Sequence, residues 1–496
     1  MPRKVLSVCI YGNAAIIIAL ACYFFIVPLG ILLSVLNDPG LYNGEMPRFL
    51  YSWHHQLSEN FEPWARQRVA SSRASELTLN NISGTEWPIF SAVYYLWTTE
   101  ALQDAWEDDP SLYLTMPKVY AKEAIEAAAS LIHDPGHASW VKAYWGDDYL
   151  YEENLFYRML LISGLTSYQR LLDDDQYQTL LIDQVDSLSN QLNDSPHGLL
   201  DDYPGQCYPI DILPAIAAIQ RADQVLGRDH AAATARAIRA FEGTRIDPQT
   251  GLPAYVANSK TGHGLGPARG VGISYMLIWA PELWPDTASR WYSRYEDHFW
   301  QEGWLVVGVR EFSKDASYGT WLLDVDAGPV VGGYGTAASA FGIGAMRTNG
   351  RLDQAYPLSA EAIVASWPLY NGTLLGTRML SNLSDAPFIG ESALLFNLTR
   401  QPLDEHVVVD KKELPFVVYI VLFLYAFVGL AGIGLAILSA KQGQVRLATI
   451  SYPKPYLQFL GWAVLLFAAG LLLWIEKPIF AMIFVLVACL LPRSER

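Results

Sequence analysis

Between about residues 37 and 412 apolar positions return every three to four residues in one stretch after another, and polar joints carrying Pro or Gly separate the stretches. This pattern predicts helices over residues 46–72, 87–106, 116–132, 150–171, 176–192, 209–226, 229–243, 272–284, 289–301, 335–349, 352–367 and 389–397. An even dozen helices in one region implies an all-α domain of paired helices, an (α/α)6 toroid. An open helical solenoid is the alternative, but no fixed-period self-similarity supports it. The long irregular stretches 245–270 and 304–333 are expected to fold over the mouth of the ring, with short strands near 304–309.

The pattern changes at both ends of the chain. Residues 14–36 carry no charge, follow Arg3 and Lys4, and lead to no small-residue cleavage signal, so they read as an uncleaved signal anchor. Residues 414–440, 457–474 and 478–492 give three more candidate spans. The expected domains are therefore 1–36, a signal-anchor helix; 37–412, the toroid; and 413–496, a membrane domain of three helices. Arg3, Lys4, Lys441, Arg446, Lys454, Arg493 and Arg496 place both termini in the cytoplasm and the large domain outside it, in a multi-pass cell-membrane protein.

Charge and composition narrow the partners. A formal charge of −16 without any basic stripe excludes nucleic acid. Sixteen Trp and 28 Tyr suit a carbohydrate face or a greasy ligand as well as a core. Nine scattered histidines, without HExxH, CxxC or a Walker loop, give no metal site and no cofactor. Of the four cysteines only Cys207 falls in the exterior domain, so no internal disulfide forms there. Oligomeric state is not encoded in any of these features.

Candidate chemistry concentrates in a few places. Residues 146–158 mix Asp148, Glu153 and other charges with Tyr149, Tyr151, Asn154 and Tyr157 directly before an apolar helix. A helix starting near Tyr151 would put Glu153 and Tyr157 on one face; the plainer reading is a helix cap with solvated charge. Cys207 and Asp211 flank Pro209 at a helix start, where the positive helix end lowers a thiol pKa, with Tyr208 between them. Asp324 and Asp326, two apart in an extended segment, would point to the same side ahead of the glycines around Tyr334. A capping turn is the alternative there. His263, in a glycine-rich loop, is a candidate acid or base or an ordinary loop residue. The 85–87 and 201–203 segments add further acids, Glu86 and Asp202 among them, and Glu391 adds another.

The run Glu153-Asn154-Leu155-Phe156-Tyr157, followed by Gly164-Leu165, and the run Cys207-Tyr208-Pro209-Ile210-Asp211 resemble segments of linalool dehydratase-isomerase and its relatives. The resemblance covers residues 153–223 and implies an (α/α)6 barrel with a functional cysteine at Cys207. It also implies a second cysteine and a histidine, whereas this region holds Cys207 alone, and Leu160 stands near the expected histidine. Residues 321–329 are similar to a signature of membrane-anchored bacterial proteins without an assigned activity. Three functions follow as expectations. The first is a hydro-lyase or isomerase on a small apolar alcohol, using Cys207, Asp148, Glu153 and Tyr157. The second is a glycoside hydrolase or lyase on envelope glycan, with two carboxylates among Glu153, Asp211, Asp324 and Asp326. The third is a non-catalytic glycan-binding or envelope-assembly protein.

Overall fold

The computed structural model describes residues 3–239, 241, 245–403, 407–409, 413–449, 455–474, 481 and 484–485. They form two compact units, one of Val35–Ser366 with Asn371–Val418 and one of Met1–Ser34, Trp367–Tyr370 and Tyr419–Arg496.

The first unit is helical, with two small antiparallel sheets. Its main helices are α1 (Phe49–Ala70), α2 (Trp87–Asp108), α3 (Lys122–His133), α4 (Leu155–Leu172), α5 (Gln178–Asp194), α6 (Pro209–Leu226), α7 (Ala231–Arg239), α8 (Gly270–Leu283), α9 (Pro285–His298), α10 (Thr336–Thr348), α11 (Leu352–Ser366) and α12 (Ile389–Leu398). All twelve expected helices have a counterpart, with shifted ends. The 116–132 stretch divides at Ala121 into Pro117–Tyr120 and α3.

Even-numbered helices pack on one another in sequence: α2 on α4, α4 on α6, α6 on α8, α8 on α10, α10 on α12, and α12 back on α2. The composition of these helices explains the arrangement. Residues 155–169 of α4 are buried without a break, as are residues 270–280 of α8; a helix apolar on every side must be surrounded. Helix α9 carries a polar face instead, with only Thr287, Ala288, Trp291, Tyr292 and Tyr295 buried. Aromatic rings of the even helices meet one another: Tyr94 of α2 lies 5.0 Å from Phe396 of α12, Trp97 of α2 4.7 Å from Trp279 of α8, and Tyr275 of α8 5.1 Å from Phe341 of α10.

Loops that lead into even helices are the long ones. The loop between α9 and α10 holds β1 (Trp300–Glu302), β2 (Val307–Val309), β3 (Trp321–Asp324), β4 (Gly328–Val331) and β5 (Tyr334–Gly335). Strands β1 and β2 pair antiparallel, with Gln301 opposite Gly308; β3, β4 and β5 form a second antiparallel sheet, with Leu322 opposite Val330.

Two helices are long and apolar enough to cross a membrane, Ile10–Val35 and Phe416–Val445, and all but their ends at Val35 and Phe416–Val418 fall in the second unit. Small residues let them approach: Gly443 lies against Ile10, Gly432 against Ala21 and Gly429 against Ile26, so the pair runs antiparallel. The expected span at 457–474 corresponds to helix Pro455–Trp474, and its Gly461–Gly470 portion is a shorter apolar helix. Apart from 481 and 484–485, the expected span at 478–492 lies outside the described residues.

Candidate functional site: an acid cluster at the starts of the even helices

Four loops that enter even-numbered helices bring carboxylates and phenols together. Glu86 immediately precedes α2 and faces Tyr203, from the loop between α5 and α6, whose hydroxyl it accepts as a hydrogen bond. Asp202, beside Tyr203, is buried; its Oδ2 accepts the Tyr208 backbone N–H at 2.7 Å, and its Oδ1 has no partner among the described residues. Asp211 follows in the first turn of α6, also buried. Pro209 occupies the first position of that helix, where a missing N–H costs nothing, and this fixes where the turn begins. Tyr255, from the loop between α7 and α8, donates its hydroxyl to Asp326 Oδ2 at 2.8 Å and thereby ties that loop to the one before α10.

The electrostatics follow from crowding acids where water is scarce. Burial first, then Asp326 and Glu86, push the Asp211 carboxyl up to about 8. Asp211 accepts no hydrogen bond from the described residues, so nothing offsets the rise. Glu86 rises to about 7 through burial, eased by the Tyr203 hydroxyl and reinforced by Asp326. Asp202 is raised well above the carboxylate range by burial and by Asp211. Burial and the same acids, Asp326 foremost, raise the Tyr208 phenol to about 12. Asp326 itself is exposed to solvent, at the edge of the cluster.

A cation flanks the cluster without neutralising it. Arg269, immediately before α8, binds Glu311 through Nε and Asp324 at 3.0 Å through Nη2, and its guanidinium lies 4.5 Å from the centre of the Tyr255 ring. Both its charge partners are therefore outside the Glu86, Asp202 and Asp211 group. Among the described residues, no group of three or more His, Cys, Asp or Glu is arranged to hold a metal ion.

Several residues singled out from the sequence lie elsewhere. Helix α4 starts at Leu155, after a left-handed Asn154 (φ 35°), so Glu153 and Tyr157 do not share a helical face. Side chains hold the preceding segment out of the helix: Arg158 donates to the Glu152 carbonyl at 2.9 Å, Gln184 to that of Leu150 at 3.1 Å, and Gln191 to that of Tyr151 at 2.6 Å. Asp148 and Tyr151 are exposed there, Tyr149 is buried, and Tyr157 is sealed between α4 and α3 with its hydroxyl on the Ile132 carbonyl. The Asn154 amide donates to the Tyr149 carbonyl. Glu153 reaches the back of the cluster, where its carboxylate accepts the Asp201 N–H.

The expectation for the thiol reverses. Cys207 is fully buried, and burial followed by Asp202, Asp201, Asp211 and Glu153 pushes it far up, because four carboxylates outweigh one helix end. For Asp324 and Asp326 the capping alternative holds: Asp324 ends β3, accepts the N–H groups of Asp326 and Ala327 and pairs with Arg269, while Asp326 lies in the turn, outside the extended segment, and accepts the Tyr255 hydroxyl. His263 is exposed on its loop, and Tyr334 in β5 lies beside Arg310, so neither joins the cluster. Tyr255 was missed in the sequence because a lone tyrosine in an irregular loop carries no local signal. Glu86 was visible only as an acid before a helix.

No family model and no curated protein matches this chain.

Proposed function

We propose that this chain is a membrane-anchored carbohydrate-active enzyme that cleaves envelope glycan, a glycoside hydrolase or lyase, with Asp211 as its general acid. The observation that carries the reading is Asp211 itself: a buried carboxyl without a hydrogen-bond donor among the described residues, held protonated at neutral pH by burial, Asp326 and Glu86. A protonated acid next to a solvent-reaching carboxylate is the requirement for splitting a glycosidic bond. In hydrolysis Asp211 gives its proton to the leaving glycosidic oxygen as the bond to the anomeric carbon breaks. Asp326, oriented by Tyr255, removes a proton from the attacking water or attacks the anomeric carbon directly. Tyr203 and Tyr208 supply rings and hydroxyls at the rim for a sugar face.

The same reading takes the helices as a closed (α/α)6 toroid, supported by the packing of α12 back onto α2. It places the toroid outside the cytoplasm, held by four spans with both termini inside, on the strength of the lysines and arginines at the span ends. The hydro-lyase reading relies on Cys207 with Asp148, Glu153 and Tyr157, and a sealed thiol among four carboxylates is a poor nucleophile or acid.

Incubation of the detergent-solubilised full chain with envelope polysaccharides and with short terpene alcohols separates the readings. The expected result is glycan cleavage that Asp211→Asn abolishes and Cys207→Ala spares. Alcohol turnover lost in Cys207→Ala would establish the hydro-lyase instead, and glycan binding without any cleavage would leave a binding protein.

A further inference from the structure

The even helices have a second polar end. Between their C-terminal turns lies a cavity of about 460 Å³, within the range of roughly 300 to 1,000 Å³ typical of small-molecule sites. Its floor is the indole pair Trp97 and Trp279, and its rim carries the amides of Gln220, Gln224 and Gln401.

Three arginines and three acids line it, and their pairing is uneven. Arg170 is taken by Glu100 and by Asp104 at 2.8 Å. Arg221 holds Glu282 with two hydrogen bonds, Nε at 3.1 Å and Nη2 at 2.8 Å. Arg400 is bonded to no carboxylate among the described residues: Nε donates to the Phe396 carbonyl at 3.1 Å and Nη2 to that of Trp97 at 3.2 Å. Its Nη1, like Nη1 of Arg221, has no hydrogen-bond partner among the described residues. Buried Arg158 and Arg347 differ, placing all three guanidinium nitrogens on interior oxygens, whereas Arg68 and Arg245 each leave Nε without a partner among the described residues but line no such cavity. Burial and the neighbouring Arg221 depress the Arg400 pKa to about 9, and Glu100, Glu282 and Asp104, each already bonded to another arginine, offset this only in part.

We propose that this cavity binds a polyhydroxylated monocarboxylate, the chemical class of a uronic acid. The carboxylate meets the open Nη1 groups of Arg400 and Arg221, one oxygen to each. The glutamine amides, of which Gln224 and Gln401 have no partner among the described residues, take hydroxyl groups, and the indoles close the apolar side. One unpaired cation among three acids selects a single negative charge, so a phosphate dianion fits poorly. The inference stands apart from the acid cluster and from the catalytic reading.

Isothermal titration calorimetry on the full chain in detergent tests it, with sodium glucuronate, the neutral glucuronamide and inorganic phosphate as probes. Glucuronate is expected to bind at least tenfold more tightly than either of the others. Arg400→Met should remove that preference, and Gln224→Trp, an exposed rim change that fills the cavity, should weaken glucuronate at least tenfold. Asp211→Asn should leave it unchanged. Absence of binding, equal binding of glucuronamide, or equal binding of phosphate overturns the proposal. So does glucuronate binding that Asp211→Asn abolishes and Gln224→Trp spares, which would put the ligand in the acid cluster.

Discussion

Asp211→Asn should inactivate the protein and stabilise it, and the two effects come from one cause. A carboxyl that holds its proton up to about 8 in the fold and releases it near 3.8 in the unfolded chain binds more protons when folded across that window. Stability contributed by the protonated group is therefore present below about pH 4 and lost as pH climbs to about 8. Taken alone, that displacement caps the loss at about 5 to 6 kcal/mol. Because Glu86 and Asp326 share the repulsion, about 2 to 3 kcal/mol is the amount assignable to replacing this one group. Asparagine keeps the shape without the charge. At about 2 °C per kcal/mol for a domain of this size, the variant should melt roughly 4 to 6 °C above the parent at pH 9. The difference should be small at pH 5, where Asp211 is already protonated. Loss of the general acid should lower glycan cleavage by about 10² to 10⁴-fold. Paired differential scanning calorimetry and reducing-end assays at both pH values give the answer. A variant that melts lower at pH 9, or that gains equally at both pH values, would show that Asp211 is not the strained acid described here.

Cys207→Ala should retain glycan cleavage within about threefold, and the native thiol should resist iodoacetamide at pH 8, since the thiolate is disfavoured by burial and by four acids; rapid alkylation read by mass spectrometry would contradict this. Tyr255→Phe strips Asp326 Oδ2 of its donor and should lower turnover by about tenfold to a hundredfold, the rate equivalent of roughly 1.5 to 3 kcal/mol for a hydrogen bond to a charged group; an unchanged rate would remove Asp326 from the reaction. Arg378→Met leaves Glu391 buried without the Nε contact at 2.9 Å and should cost about 3 to 5 kcal/mol in chemical denaturation; a loss below about 1 kcal/mol would mean water reaches that carboxylate.

The helices were legible because their signals are local. Pro209 and Gly227 bracket α6 at its first helical position and its left-handed cap, and the expected span 209–226 matches both ends. Uninterrupted apolar runs such as α8 likewise announce burial from within one segment. The acid cluster is the opposite case. Glu86, Tyr255, Asp326 and the pair Asp202 and Asp211 arrive at four separate helix entries, and none announces the others in its own neighbourhood. Asp211 and Asp326 could be named from the sequence, but their nearness to Glu86 is a property of the packing alone. Conversely, the stretch around Glu153 looked like a site because it concentrates charge and tyrosine. Its carbonyls are satisfied by Arg158, Gln184 and Gln191, a structural arrangement whose partners lie up to 40 residues away.

The most direct test is a structure of the full chain with a non-cleavable envelope oligosaccharide bound. The expected density runs across the starts of the even helices, with a glycosidic oxygen in hydrogen-bonding reach of Asp211 and the anomeric carbon facing Asp326. An oligosaccharide seated elsewhere, with Asp211 still sealed from it, would contradict the assignment of this cluster as the catalytic centre.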